Sequence, residues 1–396
     1  MAVLLLQGPL GPFFKQLSSA LEQAGETVYK IDFNGGDQFF SPFGSIAFTA
    51  EPGLWPQFLT DFIAEHGIET VFAYGDCRFY HHEAKRICIN HGVRYFAFEE
   101  GYLRPNYITL EEGGVNGHSP LANDEGHRAI EAYEPVHAVK DEQPIQANFM
   151  RRFAYASIYY NTAAFKRLKF SHYEHHRSFS PIYEAFCWVR ALVRKGLYKL
   201  TEQNAQQICR QGKFHLVPLQ VFNDAQIEFH SDYDNMEAFI TEVMSSFSVN
   251  KQSGNLVIKH HPMDRGHVNY KRLIKRLSIE LGLSGRVFYI HDQHLPTLLK
   301  NCLGVVTINS TTALQAFYHK APVNVMGEAF FDMPGLTHQC DLSSFWEEPE
   351  SLDVVFADRF RAYLLDHGQI NGSFYCDAGI SFDHLMPYLK KQGVIS

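Results

Sequence analysis

Short apolar runs alternate with helix-spaced apolar positions along the first hundred residues. The runs predict four strands: Val3 to Gln7, Thr27 to Ile31, Thr70 to Tyr74 and Tyr95 to Phe98. Between them, residues 13–23, 55–66 and 80–91 have helical spacing and end near Gly25, Gly67 and Gly92. This alternation is typical of a parallel sheet with helices packed against it.

The same alternation resumes in the second half of the chain. Five more apolar runs predict strands: Phe214 to Val221, Leu256 to Lys259, Val287 to Ile290, Val305 to Ile308 and Val323 to Met326. A chain of 396 residues is also longer than one hydrophobic core usually extends. We therefore predict an α/β protein with two Rossmann-like domains.

Residues 151–200 differ from the rest of the chain in charge. They contain ten Lys or Arg against two Glu, Glu174 and Glu184, a net charge of +8 within a protein of net charge -8. Twelve aromatic residues are interleaved with these charges. The pattern suits an anionic membrane surface, but it equally suits a solvated helical insertion whose aromatic side chains pack on the first domain. Single-stranded nucleic acid would use the same residue types, and the acidic remainder disfavours it.

The chain shows neither a membrane-spanning pattern nor a metal-binding spacing. No apolar run approaches the ~20 residues that cross a bilayer, and the apolar start meets Gly8 and Pro9 without a basic stretch, which favours a buried strand over a signal peptide. The seven cysteines have no CxxC spacing, so we expect no zinc site and no disulfide framework. A cytoplasmic protein without a metal is the expectation.

The segment LVIKHHPMDRG places a histidine pair directly after a predicted strand. Ligands of open α/β sheets bind beyond the carboxyl ends of parallel strands, so Lys259, His260 and His261 are candidate donor-binding residues. His261 could donate a proton or hydrogen bond to a departing phosphate, and Pro262 biases its backbone toward an extended conformation. The alternative is an ordinary loop histidine, one of 21 in the chain.

A second segment, VVTINSTTALQAF, places Asn309, Ser310, Thr311 and Thr312 between a buried strand and a helix. Hydroxyl groups and free amides at a helix start favour an anion, whereas a plain N-cap would explain Ser310 alone. A His-Pro turn before a strand-STT-helix element is the layout with which sialyltransferase-like GT-B enzymes bind the phosphate of CMP. We therefore predict a CMP-sugar site.

The segment LVPLQVFNDAQI adds Gln220, Asn223 and Asp224 just beyond the strand that opens the second domain. A carboxylate there could attack an anomeric carbon and form a covalent glycosyl-enzyme, so that two displacements give net retention. Asp224 is the candidate nucleophile. The alternative is that Asp224 caps a helix or turns the loop.

Two adjacent acids, Glu99 and Glu100, end the strand series of the first domain and precede Arg104. Such a pair could divide into a general base and a charge-paired partner, and we take Glu100 as the candidate base for an acceptor hydroxyl. Arg104 and Arg78 could bind a sugar carboxylate or a lipid phosphate bidentately. A structural salt bridge is the competing interpretation.

Eight motifs in order along the chain resemble the KpsS family of Gram-negative capsule assembly. They are LLLQGPLGPFF, IDFNGGDQFF, FAYGDCRFYH, FEEGYLRPNYIT, GVNGHS, LVPLQVFNDAQI, IKHHPMDRG and INSTTALQAFYHKAPV. The resemblance implies a retaining β-Kdo transferase of GT-B-like fold, with its two domains facing a cleft. It also implies CMP-Kdo as donor, a (lyso)phosphatidylglycerol acceptor, no cofactor, a place on the inner membrane, and the transferase KpsC as partner.

The related KpsC modules sharpen the comparison at two positions. They have an Asp at the place of Asp224 that is thought to be the covalent nucleophile. Their EDG motif corresponds to EEG here, so Glu100 stands where they have Asp.

The resemblance also assigns the domains. It implies an acceptor domain at 1–150, a membrane-associating segment at 151–205, a donor domain at 206–375 and a C-terminal helix at 376–396, of a kind that often crosses back to the first domain. Three alternatives stay open. Two are enzymes, a transferase for another CMP-sugar such as sialic acid and a polyol-phosphate polymerase of related fold, and the third is a non-catalytic lipid-binding scaffold.

Overall fold

The computed structural model describes residues 1–135, 144–145, 148–173, 181–250, 254–376 and 378–395. The chain forms two compact units, of which the first contains Met1–Pro120, Pro135–Pro181 and Ala362–Ser396, and the second contains Leu121–Glu134 and Ile182–Arg361. The predicted segment 151–205 is thus divided between the two units near residue 181, and the first unit takes up the chain again from residue 362 rather than 376. Glu174 and Arg177 of that segment lie outside the described residues.

The strands, in chain order, are β1 Ala2–Leu5, β2 Thr27–Asp32, β3 Ile46–Ala47, β4 Ile68–Tyr74, β5 Arg94–Glu100, β6 Tyr107–Glu112, β7 Phe214–Pro218, β8 Asn255–Lys259, β9 Val287–Ile290, β10 Gly304–Thr307, β11 Val323–Val325 and β12 Gln369–Asn371. The nine predicted strands are all present among them. They lie in two sheets, one in each unit, so the predicted α/β class with two Rossmann-like halves is confirmed.

The helices, in chain order, are α1 Phe13–Gln23, α2 Gly35–Phe40, α3 Trp55–His66, α4 Phe79–His91, α5 Asp124–Glu131, α6 Phe149–Phe165, α7 Pro181–Thr201, α8 Ala205–Arg210, α9 Ala225–Phe229, α10 Met236–Val249, α11 Lys271–Glu280, α12 Leu295–Leu299, α13 Thr312–Tyr318, α14 Leu342–Phe345, α15 Val354–Asp366 and α16 Ala378–Lys391. The predicted ends of α3 and α4 are confirmed. Gly67 and Gly92 adopt left-handed backbone conformations there, with φ of 60° and 67°.

The sheet of the first unit has the strand order β12-β6-β5-β4-β1-β2-β3. Its strands from β5 to β3 pair in parallel, as the βα pattern predicts. β6 and β12 add an antiparallel edge. Because β12 pairs with β6 and α16 packs against α1 and β12, the end of the chain completes the first unit.

Helix α1 shows how the sequence builds this unit. Phe13, Leu17 and Leu21 recur at helical spacing and are buried. They pack with Val3 and Leu5 of β1, which alternate with Leu4 across the sheet, so that Leu4 enters the hydrophobic cluster on the opposite face. The sheet therefore has a hydrophobic core on both faces.

Helix α6 is fastened to the first unit by close packing against α2. A Cβ added to Gly35 would lie 2.5 Å from the Thr162 carbonyl oxygen, and one on Gly36 would lie 2.5 Å from that of Tyr159. Only glycine permits such an approach of two backbones. For α6, the predicted packing of aromatic side chains on the first domain is confirmed, since Tyr159 is buried against this unit.

The sheet of the second unit has the order β11-β10-β7-β8-β9, and all of its pairs are parallel. One hydrophobic cluster of this unit joins β7, β8 and β10 to helices α10 and α11. Helix α10 contributes a row of fully buried side chains that includes Phe239, Val243 and Phe247. These parallel strands bring the loops that follow β7, β8 and β10 to one edge of the sheet.

Among the helices of the described residues, none combines the length and the apolar character that crossing a lipid bilayer requires.

Glu111 gives a prediction about stability. Burial raises the pKa of this carboxyl group to about 8, although the Ser119 and Tyr102 hydroxyls oppose the shift. The folded state therefore holds a proton that the unfolded chain, with an ordinary value of 4.5, releases. The free energy of unfolding should fall as pH rises from 4.5 toward about 8.

Glu111→Gln should reduce this fall, because the glutamine side chain stays neutral and keeps an oxygen for Tyr102. Urea unfolding across the pH range measures it. Glu51→Gln, at an exposed position of the same unit, is the matched control and should leave the pH dependence unchanged. Equal slopes for Glu111→Gln and the wild type would contradict the assignment.

Candidate functional site

Three loops of the second unit meet at the carboxyl edge of its sheet. They follow β7, β8 and β10, which are neighbours in the parallel sheet. Each loop contains one of the predicted segments, with Asp224, His261 and Ser310 respectively. Hydrogen bonds tie the loop after β7 to each of the other two.

The first tie is a pair of side-chain amides. Gln220 Nε2 donates to Asn309 Oδ1 at 2.9 Å, and the backbone N–H of Asn309 donates to Gln220 Oε1 at 3.1 Å. Asn309 Nδ2 donates in turn to the carbonyl oxygens of Gln226 and His230, at 2.9 and 3.1 Å. Both side-chain amides thus form their hydrogen bonds within the protein. This favours a positioning role for Gln220 and Asn309 over the predicted direct contact with the sugar donor.

The second tie is made by Asp264, which follows the His-Pro pair. Its carboxylate accepts the backbone N–H of Phe222 at 2.8 Å and is buried. This bond fixes the loop after β7 against the turn after β8. Asp264 is a functional residue that the sequence reasoning missed, although its place two residues after Pro262 was a usable signal.

Asp224 stands at the start of helix α9. Its Oδ1 accepts the backbone N–H of Gln226 at 3.0 Å, so the side chain caps the helix. The carboxylate is half-buried, and the neighbouring Asn223 is exposed. The capping alternative therefore describes the local structure correctly, and the role of Asp224 as nucleophile stays a prediction.

His261 has the extended backbone that Pro262 was expected to impose, with φ -73° and ψ 131°. Its Nδ1 accepts the backbone N–H of Met263 at 3.3 Å. A ring nitrogen that accepts a hydrogen bond carries no proton, so the neutral ring holds its proton on Nε2. The half-buried side chain can therefore present an N–H donor to a ligand.

His260 and Lys259 are less accessible. Burial, followed by the nearby His291, lowers the pKa of His260 to about 3, so the ring is neutral. Tyr289 Oη lies 2.7 Å from His260 Nδ1. Burial also lowers the pKa of Lys259, while Asp292 opposes the shift. For His260, this placement favours support of the His261 turn over direct contact with a donor.

The hydroxyl groups after β10 form a small polar group. Ser310 Oγ donates to Thr312 Oγ1 at 3.1 Å and accepts the Thr312 backbone N–H at 3.2 Å. Thr311 is the N-cap of α13 and makes no side-chain capping bond. Ser310, Thr311 and Thr312 are all half-buried, so the hydroxyl cluster reaches the surface.

In the first unit, Arg78 is held by a buried amide. Its Nη1 donates to Gln7 Oε1 at 2.9 Å, and Gln7 Nε2 donates to the hydroxyl of Tyr159 at 2.6 Å. Asn34 Nδ2 donates to the same hydroxyl at 2.7 Å. Gln7, Asn34 and Arg78 follow β1, β2 and β4, and their convergence was not evident from the sequence.

The two acids at the end of β5 have different surroundings, as the sequence predicts. However, the surroundings expected for Glu100, the predicted base, are those of Glu99. Burial raises the pKa of Glu99 to about 7, and Arg104 and Arg78 oppose the shift. Glu100 instead lies 3.9 Å from the guanidinium of Arg152, a residue of α6 that the sequence reasoning did not single out as a site residue. The raised pKa thus favours Glu99 as the group that exchanges a proton near neutral pH, and the ion-pair distance favours Glu100 as its charge-paired neighbour.

Arg104 is exposed, and its Nε donates to the carbonyl oxygen of Gly101 at 3.2 Å. Arg152 lies over the ring of Tyr375, 5.1 Å from its centroid. The positive charges of Arg78 and Arg104 thus act on Glu99, and the guanidinium of Arg152 lies near Glu100. Such a group suits an anionic ligand.

Comparison with known proteins identifies the family. The family model described as "Capsule polysaccharide biosynthesis protein" matches residues 69–375. The chain belongs to this family. A member from Escherichia coli, "Capsule polysaccharide export protein KpsS", is 44% identical over 94% of this chain and 96% of its own length. The resemblance to KpsS drawn from the motifs is thereby confirmed.

One further relative and one solved structure are also similar to this capsule family member. "Capsule polysaccharide modification protein LipB" of Neisseria meningitidis serogroup A is 40% identical over 94% of this chain and 91% of its own length. Among solved structures, the β-Kdo 2,7 transferase of Thermosulfurimonas dismutans KpsC is 16% identical, covers 90% of this chain and 89% of that one, and has a TM-score of 0.46.

The amide pair gives a prediction for this capsule family member. Asn309→Ala should lower the free energy of unfolding by about 1–3 kcal/mol, because it leaves the buried Gln220 Nε2 without its acceptor and removes two hydrogen bonds to the carbonyl oxygens of Gln226 and His230. Urea denaturation measures the change.

Asn301→Ala is the matched control, since Asn301 is exposed just after α12 and its side chain donates to the carbonyl oxygen of Thr297 in that helix. It should shift stability by less than about 0.5 kcal/mol. Equal effects of the two substitutions would show that the Gln220 to Asn309 tie does not hold the loops.

Proposed function

We propose that this protein is a retaining β-Kdo glycosyltransferase that transfers the first Kdo from CMP-Kdo to a (lyso)phosphatidylglycerol acceptor in capsule biosynthesis. The proposal rests on one observation. Direct hydrogen bonds join three loops at one edge of the sheet, and these loops contain Asp224, His261 and Ser310. This edge is where parallel α/β sheets bind ligands. Family membership supports the place in capsule biosynthesis.

In the first step, a carboxylate oxygen of Asp224 attacks C2 of Kdo. The bond from C2 to the phosphate oxygen breaks, and the bonding electrons leave with CMP. The Ser310 and Thr312 hydroxyls are suited to hold the phosphate, and the Nε2–H of His261 is suited to donate to the oxygen that gains charge. The product is a glycosyl ester of Asp224.

In the second step, the acceptor hydroxyl attacks the same C2 and displaces the Asp224 carboxylate. Two inversions at C2 give net retention. The hydroxyl proton goes to a general base, and we assign this role to Glu99, because a carboxylate with a pKa of about 7 can both accept and release a proton near neutrality. Arg78, Arg104 and Arg152 are suited to bind the phosphate of the acceptor lipid.

The proposal includes a place at the cytoplasmic face of the inner membrane, where acceptor lipid is available, and KpsC as the enzyme that uses the product. CMP is a good leaving group, so the chemistry assigned to these side chains requires no additional cofactor.

Asp224→Asn is the sharpest test of the nucleophile. Asparagine keeps the capping oxygen for the Gln226 N–H but cannot form the glycosyl ester. Transfer should fall by several orders of magnitude, while thermal stability stays close to that of the wild type. Intact-protein mass after incubation with CMP-Kdo should show a sugar adduct on the wild type and none on this variant.

Two controls accompany that experiment. Asp232→Asn changes an exposed acid of the same unit and should retain activity. CMP-sialic acid offered in place of CMP-Kdo, with product mass as readout, separates the proposed donor from another CMP-sugar. Substantial transfer by Asp224→Asn would eliminate the covalent mechanism. Binding of the wild type to anionic vesicles, with neither turnover nor affinity for CMP, would favour a scaffold.

The assignment of Glu99 predicts a pH profile. The base acts as the carboxylate, so kcat/KM should be constant well above pH about 7 and fall as pH drops through that value. Glu99→Gln should lower the rate and remove this acidic limb. Glu100→Gln should keep the limb; if it is Glu100→Gln that removes it, the assignment of the two acids is reversed.

A further inference from the structure

Helix α7 exposes a wide apolar face. At about 100° per residue, Leu192, Val189, Leu200, Val193, Phe186 and Leu197 fall on one arc of about 140°. Their exposed fractions are 69%, 62%, 84%, 59%, 59% and 53%. Large apolar side chains exposed next to one another along a helix mark a surface that binds something. We call these six residues the α7 face.

The opposite side of α7 is packed onto the second unit. Cys187 is fully buried, and its carbonyl oxygen lies so close to Gly266 that a Cβ there would be 2.1 Å away. Arg194 Nη1 donates to the carbonyl oxygen of Arg265 at 2.8 Å, and Arg190 Nε donates to that of Gly266. The helix is therefore attached directly to the turn Pro262–Gly266 that follows His261.

More contacts of the same kind fix the helix along its length. Glu184 lies 3.2 Å from His267 Nε2 near its start, and Asn269 donates to the Tyr198 hydroxyl at 3.1 Å near its end. The α7 face is therefore the exposed side of a helix whose other side already packs against the second unit.

The charges of α7 indicate what covers this face. The helix has four basic residues and one acid, in a protein whose net charge is -8. Lys195 and Lys199, both exposed, border the face on one side, whereas Arg190 and Arg194, on the other side, are half-buried and held by the carbonyl oxygens of the second unit. An exposed apolar arc with lysines along its border is the pattern of a helix that lies in the plane of an anionic lipid surface.

We propose that α7 binds an anionic bilayer with the α7 face inserted among the lipids and the exposed Lys195 and Lys199 at the headgroups. The helix also holds the His261 turn, so binding would place the donor site at the lipid surface. This second step rests on the proposed function, whereas the binding itself rests on α7 alone. Five aliphatic residues and Phe186 of one helix, rather than the aromatic residues of the whole basic segment, carry the insertion.

Vesicle binding without any sugar donor tests the inference. Vesicles of phosphatidylserine and phosphatidylcholine in equal parts supply anionic charge without the proposed acceptor, and pure phosphatidylcholine is the uncharged comparison. The wild type should co-sediment with the anionic vesicles, more weakly as salt rises. Trp188 gives a second signal: it is 44% exposed, whereas Trp55 and Trp346 are 0% and 2% exposed, so a blue shift of fluorescence reports its entry into lipid.

Leu192→Glu with Val193→Glu should weaken vesicle binding roughly tenfold or more, since burial of even one such side chain is worth a factor of that size. The matched control is Val249→Glu with Ile279→Glu, at positions 82% and 65% exposed elsewhere in the same unit. It should bind as the wild type does. Thermal unfolding verifies that both variants fold, as expected for exposed positions.

Three outcomes would overturn the inference: equal binding of the wild type to both vesicle types, equal binding of the two double variants, or a change of oligomeric state on size exclusion with no loss of vesicle binding. The last would make the α7 face a protein interface. A transfer assay separates the proposed function: the α7 variant should lose activity toward acceptor in vesicles but keep it toward a short-chain acceptor dissolved in water. Absence of transfer by every protein would reject the function and leave the binding result standing.

Discussion

Parallel strands deliver their loops to a common edge, but nothing in the sheet itself fixes those loops to one another. In the second unit this is done by one amide pair and one buried carboxylate. Gln220 and Asn309 connect the loops after β7 and β10, and Asp264 connects the loop after β7 to the turn after β8. The positions of Asp224, His261 and the hydroxyl cluster all depend on these bonds. Their directional geometry restricts three otherwise independent loops to one arrangement.

The first unit solves a different problem, the presence of two adjacent acids at a strand end. Burial separates their behaviour: Glu99 is driven toward the protonated form, with a pKa of about 7, and Glu100 lies near the Arg152 guanidinium. Arg78 is kept in place by the neutral Gln7 amide, so its charge remains directed at other groups. Two identical side chains thus acquire unlike chemistry from their surroundings, as general acid–base sites require.

The βα pattern predicted every strand of the two parallel series except β3, because buried parallel strands read as continuous apolar runs whereas β3 is only two residues long. It could not reveal β6 or β12 either. β6 carries Glu111 and Glu112, and β12 is three residues long with polar Gln369 and Asn371 at its ends. The loop segments were likewise found from motif and position, whereas partners distant in sequence, such as Arg152 for Glu100, were not. Which of two neighbouring acids has its pKa raised, or which polar residue turns inward to hold a loop, is decided by tertiary contacts that local spacing does not encode.

The capping role of Asp224 has a kinetic consequence within the proposed mechanism. In the second displacement this carboxylate is the leaving group, and negative charge returns to its oxygens as the ester bond breaks. The Gln226 N–H that holds Oδ1 is a preformed donor for that charge. A helix start that steadies the attacking group would therefore also ease its departure, and would keep the glycosyl ester from becoming a resting state of the enzyme.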